Sequence, residues 1–379
     1  MQKQIIDLLG VGSIGKQVID IVVKIPQDFE IHAVSLSTND QENQVILSRI
    51  KPKLACARDI EQFNRYQKQY PTVKWVYGDE GLITIAKNSA SNLFINALSG
   101  SIGLLPTVAA IEARKDILLA NKETLVMAGE IIMPLVKKYQ VNLLPIDSEH
   151  NALYQLLQGE DIKTVKELVL TASGGSLREY PKSELENVTI KKVLEHPNWK
   201  MGPKITVDSA TMMNKAFEVI ETHHLFNIAY NKIRTVLHDE SYVHAMIHFI
   251  DGHTKMLMSK PNMELTILNA LYRQKRVQYE EPVTPSNLSF KPMDTNRFPL
   301  LELGYKIAKQ GGLMPTIMQA ANEAAVHLFL TNKISFIEIE RIVFETIGQY
   351  QNVKNPSLEV IIKTNNEIIQ SILKQYERG

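Results

Sequence analysis

The stretch Ile5-Ile6-Asp7-Leu8-Leu9-Gly10-Val11-Gly12-Ser13-Ile14-Gly15-Lys16-Gln17 decides the fold of this chain. Residues 5–9 are mostly apolar and read as a strand; residues 14–24 carry helical periodicity. Between them lies G-x-G-x-x-G in the strand–turn–helix setting that the motif requires. Glycines there allow a tight turn and let a pyrophosphate approach the amides at a helix N-terminus, where partial positive charge collects. Dinucleotide binding is one reading; a glycine-rich turn made for packing alone is the other. Residues 10–16 also fit G-x-x-x-x-G-K of nucleotide hydrolases, but Gln17 stands where that motif needs Ser or Thr for magnesium. Its acidic strand would have to be residues 143–147, where Pro145 breaks a central ladder. Asp7 places a charge in a strand expected to be buried, and nothing near it in sequence accounts for it.

Outward from this loop, short apolar runs alternate with amphipathic ones up to residue 147. Strands are expected over residues 31–36, 53–57, 73–77, 93–98, 117–120 and 141–146, with helices over 41–49, 104–115 and 123–139. Such alternation implies a parallel sheet covered on both faces. The pattern then changes. Residues 242–250 alternate singly, Asp251-Gly252 follows, and residues 253–259 continue, which signals a hairpin. Pro282, Pro285 and Pro292 mark residues 277–297 as a linker. Four helical segments close the chain, at 298–310, 316–331, 335–349 and 356–376. The expected organisation is α/β: a Rossmann-like parallel sheet (1–147), a central α+β domain (148–276), the linker (277–297) and a C-terminal helical bundle (298–379).

The 379 residues are 44% hydrophobic and 22% charged, with net charge +1. A near-neutral chain argues against a nucleic-acid partner, which needs a concentrated basic surface. The length points to two or three domains. One cysteine, Cys56, excludes a disulfide framework and a multi-cysteine zinc site; in Lys53-Leu54-Ala55-Cys56-Ala57 it reads as a small core residue. The start Met1-Gln2-Lys3-Gln4 is too polar for a signal peptide, and no apolar run is long enough to span a bilayer. The expectation is a cytoplasmic protein with no membrane partner.

NAD enzymes place an acid after the second strand for the ribose hydroxyls. Here Ser37-Thr38-Asn39 stands at that point, with Asp40 just beyond. Neutral groups tolerate a 2′-phosphate, which favours NADP. The alternative is a helix N-cap at Asn39 or Asp40.

Pro145-Ile146-Asp147-Ser148-Glu149-His150-Asn151 ends a strand, where ligands bind in parallel sheets. On extended chain Asp147 and Glu149 point to one side. Paired carboxylates repel unless a cation lies between them, and hard oxygens suit Mg²⁺ or Mn²⁺. The bland alternative is an N-cap followed by a first-turn acid. A third carboxylate comes from the run of residues 208–218. If its latter half is helical, Asn214, Lys215 and Glu218 share a face, suited to a phosphorylated, metal-chelating ligand; the alternative is an exposed Lys215–Glu218 ion pair. Thr171-Ala172-Ser173-Gly174-Gly175 follows an apolar strand and can cradle a phosphate, or be an ordinary loop. His196-Pro197-Asn198-Trp199, with Met201-Gly202, reads as a lid, or as a surface loop pinned by Trp199.

Ala120-Asn121-Lys122-Glu123-Thr124-Leu125, the 145–152 run, the 171–175 loop, His196-Pro197-Asn198-Trp199 and Val207-Asp208-Ser209-Ala210-Thr211-Met212-Met213-Asn214-Lys215 together resemble the 1-deoxy-D-xylulose 5-phosphate reductoisomerases. The resemblance spans the chain, including Ala320-Ala321-Asn322-Glu323. It implies conversion of 1-deoxy-D-xylulose 5-phosphate to 2-C-methyl-D-erythritol 4-phosphate with NADPH and a divalent metal, in a homodimer inhibited by metal-chelating hydroxamates of the fosmidomycin type. By motif, Asp147, Glu149 and Glu218 resemble the metal ligands, and Ser173, Ser209, Asn214 and Lys215 the phosphate site. Ser148, Lys122 and His196 resemble the groups around the substrate oxygens, and Trp199 the lid residue. Gly12, Ser13, Ile14, Asn121, Glu123 and Gly202 resemble NADPH contacts, beside Val11 and Ser37-Thr38-Asn39. Val11 stands where the family usually has a hydroxyl, no basic residue adjoins Thr38, and His238-Asp239-Glu240-Ser241 replaces a common His-Pro-Gln-Ser. Two other readings remain at this point: a plain NADP dehydrogenase without metal, discriminated by metal dependence, and a regulatory nucleotide-binding protein, disfavoured by the acidic triad.

Overall fold

A computed structural model describes residues 3–377; Met1 and Gln2, part of the leader reading above, lie outside it. Strands β1 (Gln4–Leu9), β2 (Phe29–Ser35), β3 (Leu54–Ala57), β4 (Lys74–Tyr77), β5 (Leu93–Asn96), β6 (Asp116–Leu119) and β7 (Leu143–Pro145) form one parallel sheet, in the order β4-β3-β2-β1-β5-β6-β7. Between them run α1 (Ser13–Lys24), α2 (Asp40–Ile50), α3 (Ile60–Gln69), α4 (Gly78–Ala86), α5 (Leu104–Glu112) and α6 (Lys122–Tyr139). Then follow α7 (Ser148–Leu156), β8 (Val165–Ala172), α8 (Ile190–Leu194), α9 (Pro203–Ala210), α10 (Met213–Phe226), β9 (Ile233–Leu237), β10 (Val243–Phe249) and β11 (Thr254–Met258). After α11 (Glu264–Leu271) and the two-residue β12 (Lys291–Pro292) come α12 (Pro299–Gln310), α13 (Met314–Leu330), α14 (Phe336–Gln349) and α15 (Leu358–Glu377). The second sheet is mixed, ordered β11-β10-β8-β9-β12.

The chain divides into two compact units. Among the described residues, the first holds 3–124, 132–147 and 263–279, and the second holds 125–131, 148–262 and 280–377. The first is the expected α/β sheet, with Asn39 capping α2 through the Glu42 amide and Asp59 capping α3 through that of Gln62. The 263–279 segment belongs to it: Tyr272 stacks edge-on to Phe29 and its hydroxyl donates to Asp28 at 2.6 Å, while Arg273 pairs with Asp116. Pro145 is tolerated because β7 is an edge strand, where a missing donor costs little. Cys56 is 2% exposed in β3, as a core residue should be, and burial pushes its thiol up to about 12.

Asp7 has its explanation in residues far along the chain. Fully buried in β1, it accepts from Lys115 Nζ at 2.6 Å, Ser91 Oγ at 2.5 Å and Asn88 Nδ2 at 3.2 Å. Lys115 is itself 1% exposed and donates also to Ser91 Oγ and the Ile85 carbonyl. A buried charge is tolerable when paired and hydrogen-bonded in this way.

In the second unit, β8 and β10 carry a core of Leu168, Leu170, Ala245 and Ile247 against Leu153 and Val219 from α7 and α10. The β10–β11 hairpin turns at Asp251-Gly252 as the sequence implied. Within residues 277–297 the proline-rich chain pauses to pair β12 with β9; Pro292 sits on a sheet edge, which spares its missing donor. Helices α12–α15 occupy the C-terminal stretch, with α13 almost wholly buried.

Candidate active site

In the first unit the glycines of the loop separate by role. Gly10 has φ +88°, and a Cβ there would lie 2.4 Å from the Ala97 carbonyl oxygen; a Cβ on Gly15 would lie 1.9 Å from that of Gly10. Packing and the turn alone demand both. A Cβ on Gly12 would meet nothing within 4 Å, so packing gives no reason for a glycine there. Gly12 is also the N-cap of α1, whose first turn holds no acidic residue and whose cap supplies no side-chain acceptor. Open backbone amides at a helix N-terminus fit a pyrophosphate. Val11 is 3% exposed, so its side chain belongs to the core and only its backbone faces the loop; Ser13 and Ile14 are half-buried.

After β2, Ser37 and Asn39 are engaged locally. Asn43 Oδ1 accepts from the Ser37 amide at 3.0 Å, and Asn39 caps α2. The capping alternative therefore holds for Asn39. Asp40 is not left free: Tyr66 donates to it at 2.7 Å and Arg65 pairs with it at 2.5 Å. The Tyr66 hydroxyl foremost, with Arg65 among the other contributors, keeps its carboxyl below the usual range. Arg65, on α3 and 25 residues further along the chain, is thus a basic group beside this turn that local sequence did not show.

Asn121 caps α6 through the Thr124 amide and donates to the carbonyls of Leu98 and Gly100 and to Glu123 Oε2. It thereby fixes the loop after β5. Lys122, 7% exposed, sets its ammonium on Asp147.

Asp147 closes the first unit, and Ser148 opens α7. The expectation that Asp147 and Glu149 align on extended chain is corrected here: Glu149 lies in the first helical turn, where the helix dipole favours a carboxylate. Ser148 Oγ donates to Glu149 Oε2 at 2.5 Å. From α10, Asn214 Nδ2 donates to Glu218 Oε1 at 2.6 Å, and Lys215 Nζ to Glu218 Oε2 at 2.5 Å and Glu149 Oε1 at 2.6 Å. The shared helical face is real, and the exposed ion-pair alternative fails: Lys215 is 3% exposed and Glu218 fully buried. Burial opposes the Lys215 charge, but Glu149 and Glu218 outweigh it and hold its pKa above the usual value. One carboxylate oxygen from each of Asp147, Glu149 and Glu218 lies within 4.8 Å of the others. Chain continuity places Asp147, one residue from α7. Hard oxygens at this spacing fit Mg²⁺ or Mn²⁺.

Around them, Lys215 Nζ also donates to the Thr171 carbonyl at 2.5 Å, tying α10 to the Ser173 loop. Ser173 Oγ accepts from the Gly175 amide and meets His196 Nε2 at 2.9 Å. The other nitrogen, Nδ1, accepts from the amides of Asn198 and Trp199, so neutral His196 carries its proton on Nε2 and donates to Ser173. Burial foremost, with Arg178 nearby, lowers its pKa to about 4. Asn198 Nδ2 donates to the Asp239 carbonyl at 2.6 Å and to Ser241 Oγ at 2.7 Å; Arg178 bridges the Ser173 and Asp239 carbonyls. Trp199 lies 6.0 Å from the His244 ring. Gly202 caps α9 with no neighbour against its Cβ position, and Ser209 is half-buried near the end of that helix. Arg178 is a site-shaping residue that no local pattern announced.

The sequence matches the family model for 1-deoxy-D-xylulose 5-phosphate reductoisomerase over residues 6–129, that for its C-terminal domain over 143–226, and a further DXP reductoisomerase C-terminal domain over 258–370. It is 42% identical over 377 residues to a 1-deoxy-D-xylulose 5-phosphate reductoisomerase of an Exiguobacterium species, covering 98% of both chains. With the Listeria monocytogenes enzyme of that name it shares 40% over 370 residues, 96% of this chain and 97% of the other. Among solved structures, the Zymomonas mobilis reductoisomerase in complex with NADPH superposes with TM-score 0.89 at 33% identity, covering 99% and 100% of the two chains. A DOX-P reductoisomerase in complex with NADPH, fosmidomycin and magnesium gives 0.92 at 32%, covering 99% and 98%.

Proposed function

Since the chain belongs to the 1-deoxy-D-xylulose 5-phosphate reductoisomerase family, we propose how its residues divide the work of that reaction. The chain is an NADPH- and divalent-metal-dependent oxidoreductase that isomerises and reduces 1-deoxy-D-xylulose 5-phosphate to 2-C-methyl-D-erythritol 4-phosphate, on the non-mevalonate route to isoprenoid precursors. Hydroxamates of the fosmidomycin type bind such sites.

The convergence of Asp147, Glu149 and Glu218 beside Lys215 carries the assignment. These three carboxylates hold the cation, which when bound supplies Lewis acidity to adjoining carbonyl and hydroxyl oxygens; bound NADPH supplies the hydride. Lys122 stabilises negative charge developing on a substrate oxygen. Ser148 and His196 orient substrate oxygens, His196 as a neutral Nε2–H donor. Ser173, Ser209, Asn214 and Lys215 receive the phosphate, and that remote binding orients the reacting carbons. Trp199 covers the substrate and excludes water.

Val11, Gly12, Ser13 and Ile14 cradle the NADPH pyrophosphate. Ser37, Thr38 and Asn39 face its adenosine ribose, where Arg65 already neutralises Asp40. Asn121, Glu123 and Gly202 complete the cofactor contacts. We assign cofactor binding to residues 1–147, catalysis and dimerisation to 148–276, and a helical domain to 298–379 after the 277–297 linker. The complete seven-stranded sheet within the first of these spans supports this, with the 263–279 segment joined to it.

The homodimer is supported by β11, an edge strand with Met256 and Met258 exposed beside Ile250; sedimentation at working concentration tests it. Among the described residues no helix is long and apolar enough to cross a membrane, and we place the reaction in the cytoplasm, which cell fractionation checks. The decisive experiment is NADPH oxidation with 1-deoxy-D-xylulose 5-phosphate after chelator treatment, with and without added Mn²⁺. Turnover restored by metal is expected. No turnover under either condition overturns the assignment.

A further inference from the structure

Asp208 and Asn322 come from two of the sequence motifs and find no role in the site as built above. Asp208 lies in α9, one residue before Ser209, and was part of the run expected to supply a third carboxylate. That carboxylate is Glu218; Asp208 is 2% exposed and is not in the carboxylate cluster. Its Oδ1 accepts from Asn322 Nδ2 of α13 at 2.8 Å, and its Oδ2 accepts from Lys204 Nζ, one turn earlier in α9, also at 2.8 Å.

Asn322 is an odd choice for its position. It is fully buried on a helix with fourteen buried residues, and its Oδ1 has no hydrogen-bond partner. Burying an amide oxygen without a donor carries a desolvation cost that nothing offsets. An alanine or leucine there would avoid that cost. Among the described residues, the one side-chain hydrogen bond Asn322 makes goes to Asp208, and a buried carboxylate needs such a donor.

The end of α9 is a place where position matters. The chain breaks helix at Thr211 and turns through Met212, which has φ +62° and is 2% exposed, before α10 begins. A non-glycine residue in the left-handed region persists only where its surroundings over-determine it. That turn sets the start of α10, hence Asn214, Lys215 and Glu218. On the other side, a Cβ on Gly175 would lie 2.7 Å from both Ala210 Cα and the Ser209 carbonyl oxygen. The Ser173–Gly175 loop therefore rests on the backbone of residues 209–210, and any shift of the end of α9 passes to it.

We propose that Asn322, through Asp208, is a positioning residue for the phosphate end of the substrate: it pins the end of α9 from the C-terminal helices, so that Ser209, the Ser173 loop and the start of α10 stand in one fixed arrangement. The inference rests on the phosphate-site reading given above. Neither residue touches the reacting atoms.

The test is steady-state kinetics of the full-length, metal-loaded enzyme with 1-deoxy-D-xylulose 5-phosphate. Asn322→Ala should raise KM for the sugar phosphate about tenfold, since ångström-scale misplacement of binding groups carries effects of that order or more. The dissociation constant for NADPH should be unchanged. A merely structural defect lowers the active fraction, and so kcat, without moving KM. Asp208→Ala, which removes the acceptor, should raise KM likewise and serves if Asn322→Ala does not fold. Exchanging the pair, Asp208→Asn with Asn322→Asp, restores a donor facing an acceptor and should recover part of the lost KM. Ser209→Ala is the control for the site itself. If Ser209→Ala raises KM while the folded Asn322 and Asp208 variants keep the parent KM, the positioning role is overturned and the phosphate site stands. If Ser209→Ala leaves KM unchanged, the phosphate-site reading falls and this inference with it.

Discussion

The Asp7–Lys115 pair lends itself to a quantitative test. Both groups are at most 1% exposed, so removing either partner leaves a buried charge. Breaking such a pair typically costs about 3–5 kcal/mol. Titration sets an independent ceiling. A stranded carboxylate at pH 7 can take up a proton, roughly three pH units above its ordinary pKa, for about 4 kcal/mol; a stranded ammonium can lose one for about 4.5 kcal/mol. The hydrogen bonds make the two losses unequal. In Lys115→Met, the Asp7 carboxylate keeps Ser91 and Asn88 as donors. In Asp7→Leu, Lys115 keeps only the Ser91 hydroxyl and a long contact of 3.4 Å to the Ile85 carbonyl. We expect about 3 kcal/mol for Lys115→Met and about 4 kcal/mol for Asp7→Leu. The double variant, with two apolar groups of similar volume, should lie within about 2 kcal/mol of the parent.

The slopes with pH should be opposite. In the parent, burial already lowers the Lys115 pKa despite Asp7. Without Asp7 the folded state binds fewer protons there than the unfolded chain, so stability rises with pH toward the ordinary lysine range. Without Lys115 a buried carboxyl binds protons more readily than in the unfolded chain, so stability falls as pH rises above the ordinary carboxylate range. The assay is urea unfolding in a Trp199→Phe background, which leaves Trp75 as the sole tryptophan. Trp75 is 7% exposed, packs on Tyr66, and reports on the first unit. Single variants that each cost under about 1 kcal/mol, with parallel pH slopes, would refute the account.

Three further outcomes are expected. Glu149→Gln should abolish turnover while NADPH binding, followed by cofactor fluorescence, stays nearly intact; loss of cofactor binding would show the carboxylate to be misplaced. Gly15→Ala drives a Cβ to 1.9 Å from the Gly10 carbonyl oxygen and should weaken NADPH binding at least tenfold by titration, whereas Gly12→Ala, open on all sides, should bind more weakly only through contact with the cofactor itself. The His196 imidazole, observed by NMR, should stay neutral down to about pH 4. Its folded pKa lies below the unfolded one, so its contribution to holding residues 196–199 is complete above the ordinary histidine range and is lost as pH falls toward 4; titration near 6.5 would show that burial does not disfavour its charged form.

What was legible in the sequence was local. The glycine loop, the Asp-Gly hairpin, the terminal helices and the Asn214–Lys215–Glu218 face each depend on residues within one or two turns of one another. What was not legible depends on distance. Asp7 is explained by Lys115, 108 residues away, and Asp40 by Arg65 and Tyr66 from the next helix. Asp147 and Glu149 were read on extended chain because strand pattern continues to Ile146; the helix begins at Ser148, and only the capping alternative foresaw it. Asp208 could be marked as an acid of interest, but its direction is set by α13, which local spacing cannot see.

The return of residues 263–279 to the first unit bears on how the protein is made. At synthesis rates of about 5–20 residues per second, a nascent chain that has completed β7 waits on the order of ten seconds for the segment bearing Tyr272 and Arg273. Through that interval Phe29 and Asp116 lack partners that they hold in the finished unit. A fragment cut after β7 would be frozen at that stage, and a self-sufficient cofactor-binding module would have to carry the later segment spliced back on.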